Sequence, residues 1–452
     1  VINSFYADKS VSIGAIVLMS TLDPSQGDPS SPLKNNHPHK SRTIVMKFGG
    51  TSVGDLERIR NVAQKIKIEH DQGNRVAVVV SAMAGVTNQM VKYCFDLDTM
   101  PAMEEYDAVV ASGEQVTSGL VAIALNKIGV PARSFQGWQV PLITDDAHGK
   151  AGIETVDGTA IKACLDQDIV PVIAGFQGVD RSGRIATLGR GGSDTSAVAF
   201  AAAIKADQCD IYTDVDGVYT TDPRIVTKAK KLDTITYEEM LELASVGAKV
   251  LQTRSVALAM REKVRVRVLS SFDKTDDSSG TIVVDENEGM EKELVAGIAY
   301  SLDESKISIR NVPDKPGVAA AIFGSLSGAG INVDMIVQSI GIDQSTNMTF
   351  TVSKGEEHRA CQILDEHRKE IHFGEVSTSH DVVKISVVGV GMRSNTGVAA
   401  TMFRTLAERG INVQVISTSE IKISVLINAE YTELAMRALH AAYGLDAEKE
   451  DC

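Results

Sequence analysis

Residues 187–196 read TLGRGGSDTS, and the alanine-rich AVAFAAAIKA follows directly. Three glycines, Gly189, Gly191 and Gly192, allow the backbone to approach a ligand closely and to take up positive φ. The run behind them has helical character. A loop that ends at a helix N-terminus offers unpaired N–H groups and the positive end of the helix dipole, which together make an anion site. The plain alternative is a strand-to-helix turn whose glycines serve packing alone, and the rest of the chain decides between the two.

Upstream, TIVMKF (43–48) is a short apolar strand broken by GGTSVGD, after which LERIRNVAQKIKIEHDQG spaces its apolar residues as a helix and ends on a glycine. RVAVVVSAMAG (75–85) repeats the theme as a buried strand running into a small-residue turn. IVPVIAGFQG (169–178) and CDIYTDVDGVY (209–219) are further β-branched strands with glycine-bearing loops at their ends. This alternation predicts an α/β fold with a largely parallel sheet sandwiched by helices. Ligands of such sheets gather at the carboxyl ends of the strands.

With 452 residues and 43% hydrophobic content, the chain can bury a large core and has room for more than one domain. The formal net charge of −14, with no long Lys/Arg block, excludes a nucleic-acid-coating surface, so an anionic ligand must meet local cations. Five scattered cysteines without a CXXC pair suit a reducing cytoplasm and suggest no zinc site. The first 42 residues differ from the rest. VSIGAIVLMS is too short to span a bilayer, DPSQGDPSSPLKNNHPHK reads as a Pro/Ser-rich linker, and His37 and His39 belong to a solvated segment. Residues 1–42 are therefore expected to be a disordered tail, and no membrane association is expected.

Beyond residue 290 the chain repeats itself. GVAAAIFGSLSGAGINVDMIVQSI from Gly317 aligns without gaps to GVAATMFRTLAERGINVQVISTSE from Gly397, 80 residues later. Each copy reads strand, helix, GINV turn, strand, followed by a further strand and a closing helix. Two copies are too few for a solenoid and predict a pair of small ferredoxin-like βαββαβ modules packed on each other. The expected division is a catalytic domain over 43–290, a first module over 291–375 and a second over 376–446, with interleaving of the two modules open.

The ordinary nucleotide signatures are absent: there is no GXXXXGK[ST] loop, no GXGXXG opening a helix after a strand, and no HRD or DFG. DVDGVYTTDP starts like a calcium loop, but its acid spacing breaks after Asp216 and no Glu closes it. In order along the chain, MKFGGTSVGD, VVSAMAGVTN, SGEQVTSGL, GFQG, TLGRGGSDTSA and YTDVDGVYTTDPR resemble the aspartate kinases. The resemblance covers residues 43–446, and the two C-terminal modules are similar to that family's ACT domains. No homoserine dehydrogenase segment follows, so the likeness is to the monofunctional form.

The resemblance implies ATP-dependent phosphorylation of the L-aspartate β-carboxylate to 4-phospho-L-aspartate, the first step towards lysine, threonine and methionine. The nucleophile is a carboxylate with an ordinary pKa of about 4, already ionised at neutral pH, so no general base is needed. Positioning and charge screening must then dominate catalysis. By resemblance, Lys47 neutralises the transferring phosphoryl group, Gly49 and Gly50 bring backbone donors to it, and Thr51 and Ser52 line the same turn. Arg190 holds the substrate α-carboxylate, since guanidinium is a planar two-pronged donor, and Glu114 pairs with the α-ammonium. Thr87, Phe176, Thr187 and Ser193 map onto the aspartate pocket, and Asp194 onto the acid beside the reacting groups. Thr213, Asp214, Tyr219 and Arg224 match the ATP segment, and Lys249 the phosphate-facing lysine. Mg2+ is implied by ATP chemistry, without a protein ligand to name.

For regulation, the resemblance is to members inhibited by lysine and threonine. Asp314, Asn332, Asp334 and Gln338 in the first copy, with Asn412 and Ser419 in the second, supply polar groups for an amino-acid effector, within a homo-oligomer. Turn chemistry accounts for several of these residues equally well. Two other functions remain: another amino acid or carbamate kinase on the same fold, and a non-catalytic ACT-type amino-acid sensor.

Overall fold

A computed structural model describes residues 41–247, 250–273, 279–286, 294–340, 345–395 and 397–446. The expected N-terminal tail lies outside these residues save for Ser41 and Arg42, as does Lys249.

The N-terminal domain is built on an eight-stranded sheet. Its strands are β1 (Thr43–Phe48), β2 (Arg75–Val80), β3 (Ala132–Phe135), β6 (Val170–Ala174), β9 (Gln208–Thr213), β10 (Thr234–Thr236), β11 (Val266–Ser270) and β12 (Thr281–Val284). They lie in the order β10-β12-β11-β9-β1-β2-β6-β3, parallel except where β12 meets β11. A smaller sheet of β4 (Leu142–Thr144), β5 (Ile153–Val156), β7 (Gln177–Val179) and β8 (Ile185–Thr187) stands beside it.

Strand alternation sorts the layers. In β1, Ile44, Met46 and Phe48 face α1 (Leu56–Asp71) and α4 (Ser112–Lys127), sharing a core with Ile59, Ile66, Val121 and Leu125. Val45 faces the other way, into a core with α5 (Thr159–Leu165), α6 (Gly192–Ile204), α7 (Tyr237–Ser245) and α8 (Thr253–Glu262). With a period of two, Lys47 falls on the α6 side. Two more helices, α2 (Val86–Leu97) and α3 (Met103–Val110), complete this half. The helical stretch Met103–Lys127 is long and apolar enough to cross a membrane by length and composition, but half of its most apolar window is buried inside the fold.

The C-terminal half holds two four-stranded antiparallel sheets. One has the order β15-β16-β14-β17, from β14 (Ser305–Pro313), β15 (Asp334–Ile340), β16 (Ser345–Val352) and β17 (Val376–Ser379), carrying α9 (Val318–Gly328) and α10 (Glu357–Ile371). The other has the order β13-β18-β20-β19, from β13 (Gly297–Ser301), β18 (Val382–Val388), β19 (Val415–Thr418) and β20 (Lys422–Asn428), with α11 (Gly397–Glu408) and α12 (Thr432–Ala442). The modules interleave. β13 precedes the first βαββαβ unit yet pairs with β18 of the second, and β17 pairs with β14 of the first. A division at 375/376 would cut β17 from its sheet and leave β13 on the wrong side.

Because β13 is borrowed, the second module is tied to the N-terminal domain. The Ile298 N–H donates to the Thr220 carbonyl at 2.7 Å, the Val390 N–H to Glu239 Oε1 at 3.0 Å, and Lys422 pairs with Glu242 at 2.7 Å. Fully buried His440 of α12 contacts Thr220 Oγ1 through Nε2 at 2.9 Å and Asp446 through Nδ1 at 3.0 Å. Burial depresses the His440 pKa. Its neutral form, with the hydrogen on Nδ1, accepts from the threonine hydroxyl.

Candidate functional site

Lys47 is the penultimate residue of β1, at the carboxyl edge of the sheet, and points towards α6, whose first turn carries Asp194. The ammonium lies 2.5 Å from Asp194 Oδ1, and both residues are less than a tenth exposed. The direct pairing holds the lysine charge in place, and an ammonium has three donors, more than this one carboxylate oxygen takes up. A buried pair of this kind adds little stability but carries a fixed charge where the sheet is most open.

The turn after β1 is held by main-chain bonds, Gly49 N to Tyr212 O at 3.2 Å and Ser52 N to Gly49 O at 2.9 Å. Ser52 is buried with Oγ 3.5 Å from the Tyr212 carbonyl, whereas Thr51 is exposed and its carbonyl accepts from Arg58. A Cβ on Gly50 would stand 3.0 Å from the Ala82 carbonyl, so the turn after β1 and the turn after β2 meet only through a glycine.

Glu114, in the first turn of α4, is 3% exposed. Its Oε1 accepts the Ala82 N–H at 3.0 Å, while Oε2 is buried without a partner among the described residues. Desolvation pushes its pKa up to about 7. A buried carboxylate oxygen left unpaired is costly, and a cationic ligand would relieve that cost.

The glycine stretch forms the expected strand–loop–helix. Gly191 has φ of 70° and caps α6; a Cβ there would come within 1.9 Å of Gln252 Cγ, at the start of α8. No side chain caps α6, and among the described residues the N–H groups of Ser193 and Asp194 have no partner. They are donors available to an anion. Arg190 is exposed on this loop, and no hydrogen bond or ion pair holds its side chain among the described residues. Ser193 is buried, Thr87 is half-buried in the first turn of α2, and Phe176 takes φ of 68°, a strained value for an aromatic residue, with its N–H on Ser196 Oγ. Thr187 is fully buried and gives its hydroxyl and its N–H to Asp107, so its link to the loop runs through the backbone.

Among the residues expected to face a nucleotide, Thr213 ends β9 with Oγ1 3.2 Å from the exposed Asp214. Tyr219 donates to Asp216 at 3.1 Å, and burial with that carboxylate raises its pKa. Arg224 forks onto Asp222, which also accepts from Tyr300 of β13. Among the described residues no hydrogen bond or ion pair joins Tyr219 or Arg224 to Lys47. Asp107, His148 and Arg254 escaped the sequence reading. Arg254 donates to the carbonyls of Leu188 and Ala151 at 2.8 and 2.6 Å, bracing the loop.

Of the expected effector residues, Asp314, Asn332, Gln338, Asn412 and Ser419 are exposed. Asp334 is already paired with Lys384 of β18 at 2.7 Å, and Lys384 also meets the buried Glu304 at 2.6 Å.

Residues 42–270 match the amino acid kinase family, and residues 306–367 and 385–443 match the ACT domain. The chain is 54% identical over 407 residues to an aspartate kinase of Pseudomonas fluorescens, spanning 89% of this chain and 98% of that one. It is 47% identical over 407 residues to an aspartokinase of Helicobacter pylori, spanning 89% and 99%. Its fold superimposes on E. coli aspartokinase III in complex with aspartate and ADP with a TM-score of 0.73, at 26% identity over 88% of this chain and 99% of that one. The lysine and aspartate complex of the same enzyme, in the T-state, gives 0.70 at the same identity. The chain belongs to the amino acid kinase family and, within it, to the aspartate kinases.

Proposed function

We propose that the chain transfers the γ-phosphoryl group of ATP to the β-carboxylate of L-aspartate, giving 4-phospho-L-aspartate, with Lys47 as the charge that follows the phosphoryl group. The observation that carries this reading is the buried ion pair of Lys47 at the end of β1 with Asp194 in the first turn of α6, alongside a buried Glu114 whose Oε2 has no partner among the described residues. Asp194 holds Lys47 at the strand end. Lys47 screens the approach of one anion to another, and the α6 amides receive phosphate oxygens. Glu114 takes the α-ammonium and Arg190 the α-carboxylate, with Thr87, Phe176 and Ser193 around them. No residue acts as a base, because the nucleophile is already ionised.

Thr213, Asp214, Tyr219 and Arg224 would face the nucleotide. ATP chemistry calls for Mg2+, which would enter with the phosphate oxygens, and no protein ligand is assigned to it. It would screen phosphate charge. All four described cysteines are free, in keeping with a cytoplasmic enzyme.

The regulatory part of the proposal is feedback by lysine, threonine or both through the ACT pair of a homo-oligomer. Its support is the ACT match and the lysine complex of the E. coli neighbour. Asn332→Ala and Asn412→Ala should weaken inhibition; undiminished inhibition in both would remove these two residues from the effector site.

The substrate reading is tested by trapping the acyl phosphate with hydroxylamine in the presence of Mg-ATP and aspartate, glutamate or carbamate in turn. Aspartyl hydroxamate should dominate. Turnover confined to glutamate or carbamate would move the chain to another amino acid kinase activity, and no turnover at all would favour the sensor.

A further inference from the structure

The aspartate reading needs two opposite charges, Glu114 and Arg190, held a fixed distance apart, yet among the described residues no hydrogen bond or ion pair holds Arg190. One carboxylate connects the segments that carry them. Asp107 lies on α3, which runs through Ala111 into α4 and Glu114, and it is fully buried. It accepts His148 Nδ1 at 2.8 Å, the Gly149 N–H at 3.0 Å, the Thr187 N–H at 2.9 Å and Thr187 Oγ1 at 2.5 Å. Thr187 is the last residue before the loop that bears Arg190. A carboxylate only accepts, so His148 carries its hydrogen on Nδ1. The far ring nitrogen lies 3.6 Å from Asp180 Oδ2, and the imidazole is almost fully enclosed. The Ala151 N–H closes the circle on the Thr187 carbonyl at 2.9 Å.

We infer that Asp107 and His148 are positioning residues that set the span between the ammonium-binding Glu114 and the carboxylate-binding Arg190. This rests on the aspartate reading of the site. Neither residue reaches the substrate: Asp107 fixes where the loop 188–192 begins relative to α4, and His148 fixes Asp107. Four donors on one carboxylate leave it no freedom. An amide at that place would turn an N–H2 group against one set of donors and move the loop.

The full-length protein is compared with Asp107→Asn, His148→Ala and His148→Asn. Asparagine can keep a donor near the place of Nδ1, and alanine cannot. Asp107→Asn and His148→Ala should raise the aspartate KM by about tenfold or more, with ATP affinity by calorimetry within about twofold of the parent. His148→Asn should recover most of the loss. Hydrogen exchange without substrate should quicken in peptides covering 187–192 and stay unchanged over 208–213. That readout holds whichever amino acid the enzyme uses, so a parent that fails to phosphorylate aspartate would strike the substrate reading and leave the span to be judged by exchange. The inference is overturned by an unchanged aspartate KM and unchanged exchange in both disruptive variants. It is equally overturned by a parallel loss of ATP binding, which marks a general prop of the fold, or by His148→Asn behaving as His148→Ala does.

Discussion

The carboxyl edge of the large sheet and the exposed faces of the ACT pair treat polar residues in opposite ways. At the sheet edge Lys47, Glu114 and Asp194 are each at least nine-tenths buried, and Glu114 keeps an oxygen unpaired. On the ACT pair Asp314, Asn332, Gln338, Asn412 and Ser419 stand in solvent. Charges that must act on a transferring phosphoryl group gain strength from a dry, fixed setting. An exposed set gains it only when another surface covers it. Between the two regions runs β13, a strand of the second ACT sheet whose Ile298 and Tyr300 touch Thr220 and Asp222. The module that would sense an effector is thus hydrogen-bonded to the segment expected to face ATP.

The sharpest way to break the contrast is Lys47→Ala, which should lower kcat by about 100-fold or more with little change in aspartate KM. Steady-state kinetics decide it; a change confined to KM would make Lys47 a binding group. Arg190→Ala should instead raise aspartate KM by roughly 10- to 100-fold, as expected for a lost charge-assisted hydrogen bond. A kcat loss at unchanged KM would contradict its placement on the α-carboxylate.

The buried edge also predicts a pH dependence. The folded pKa of Glu114 lies above its ordinary value, at about 7, so its protonated form is favoured by the fold. The corresponding stability is complete below the ordinary carboxylate range and is lost as pH rises towards 7. The proposed role of Glu114 runs the other way, since binding an α-ammonium would need the ionised form. The kcat/KM for aspartate should therefore fall as pH drops below about 7. Glu114→Gln should be weaker throughout and should lack that limb, which a pH profile of both proteins reads directly.

The smallest effect belongs to the joint between the regions. His440→Ala removes the contact with Thr220 and should shift the half-inhibitory concentration of the effector by roughly fivefold or more, the scale of a modest coupling energy. Uninhibited kcat should stay within about twofold. An unchanged midpoint would mean that coupling reaches the kinase half elsewhere, through Glu239 or Glu242.

Much of this architecture was legible in the sequence because its signals are local. The alternation in TIVMKF separates Lys47 from Ile44, Met46 and Phe48, and the glycines of TLGRGGSDTS mark a loop ending at a helix. The Gly317 and Gly397 repeat marks two modules. The rest depends on contacts between distant segments. Nothing in GIAYS says that β13 joins the second sheet, since strand partners are chosen by packing across the chain. Asp107 in EEYDAVV looks like one more acid on a solvated helix, and only the return of His148 and Thr187 makes it a buried acceptor. Asp334 reads as a turn acid or an effector ligand, while the fold gives it to Lys384.

The central claim is that the β-carboxylate itself attacks the γ-phosphorus without a base. It is tested most directly with L-aspartate carrying 18O in both β-carboxylate oxygens, incubated with Mg-ATP and quenched with hydroxylamine. Attack by the carboxylate places a labelled oxygen between carbon and phosphorus, and hydroxylamine then cleaves the bond at carbon. The account predicts inorganic phosphate bearing one 18O and a hydroxamate retaining the other. Unlabelled phosphate formed in step with ATP consumption would show transfer to water and contradict it.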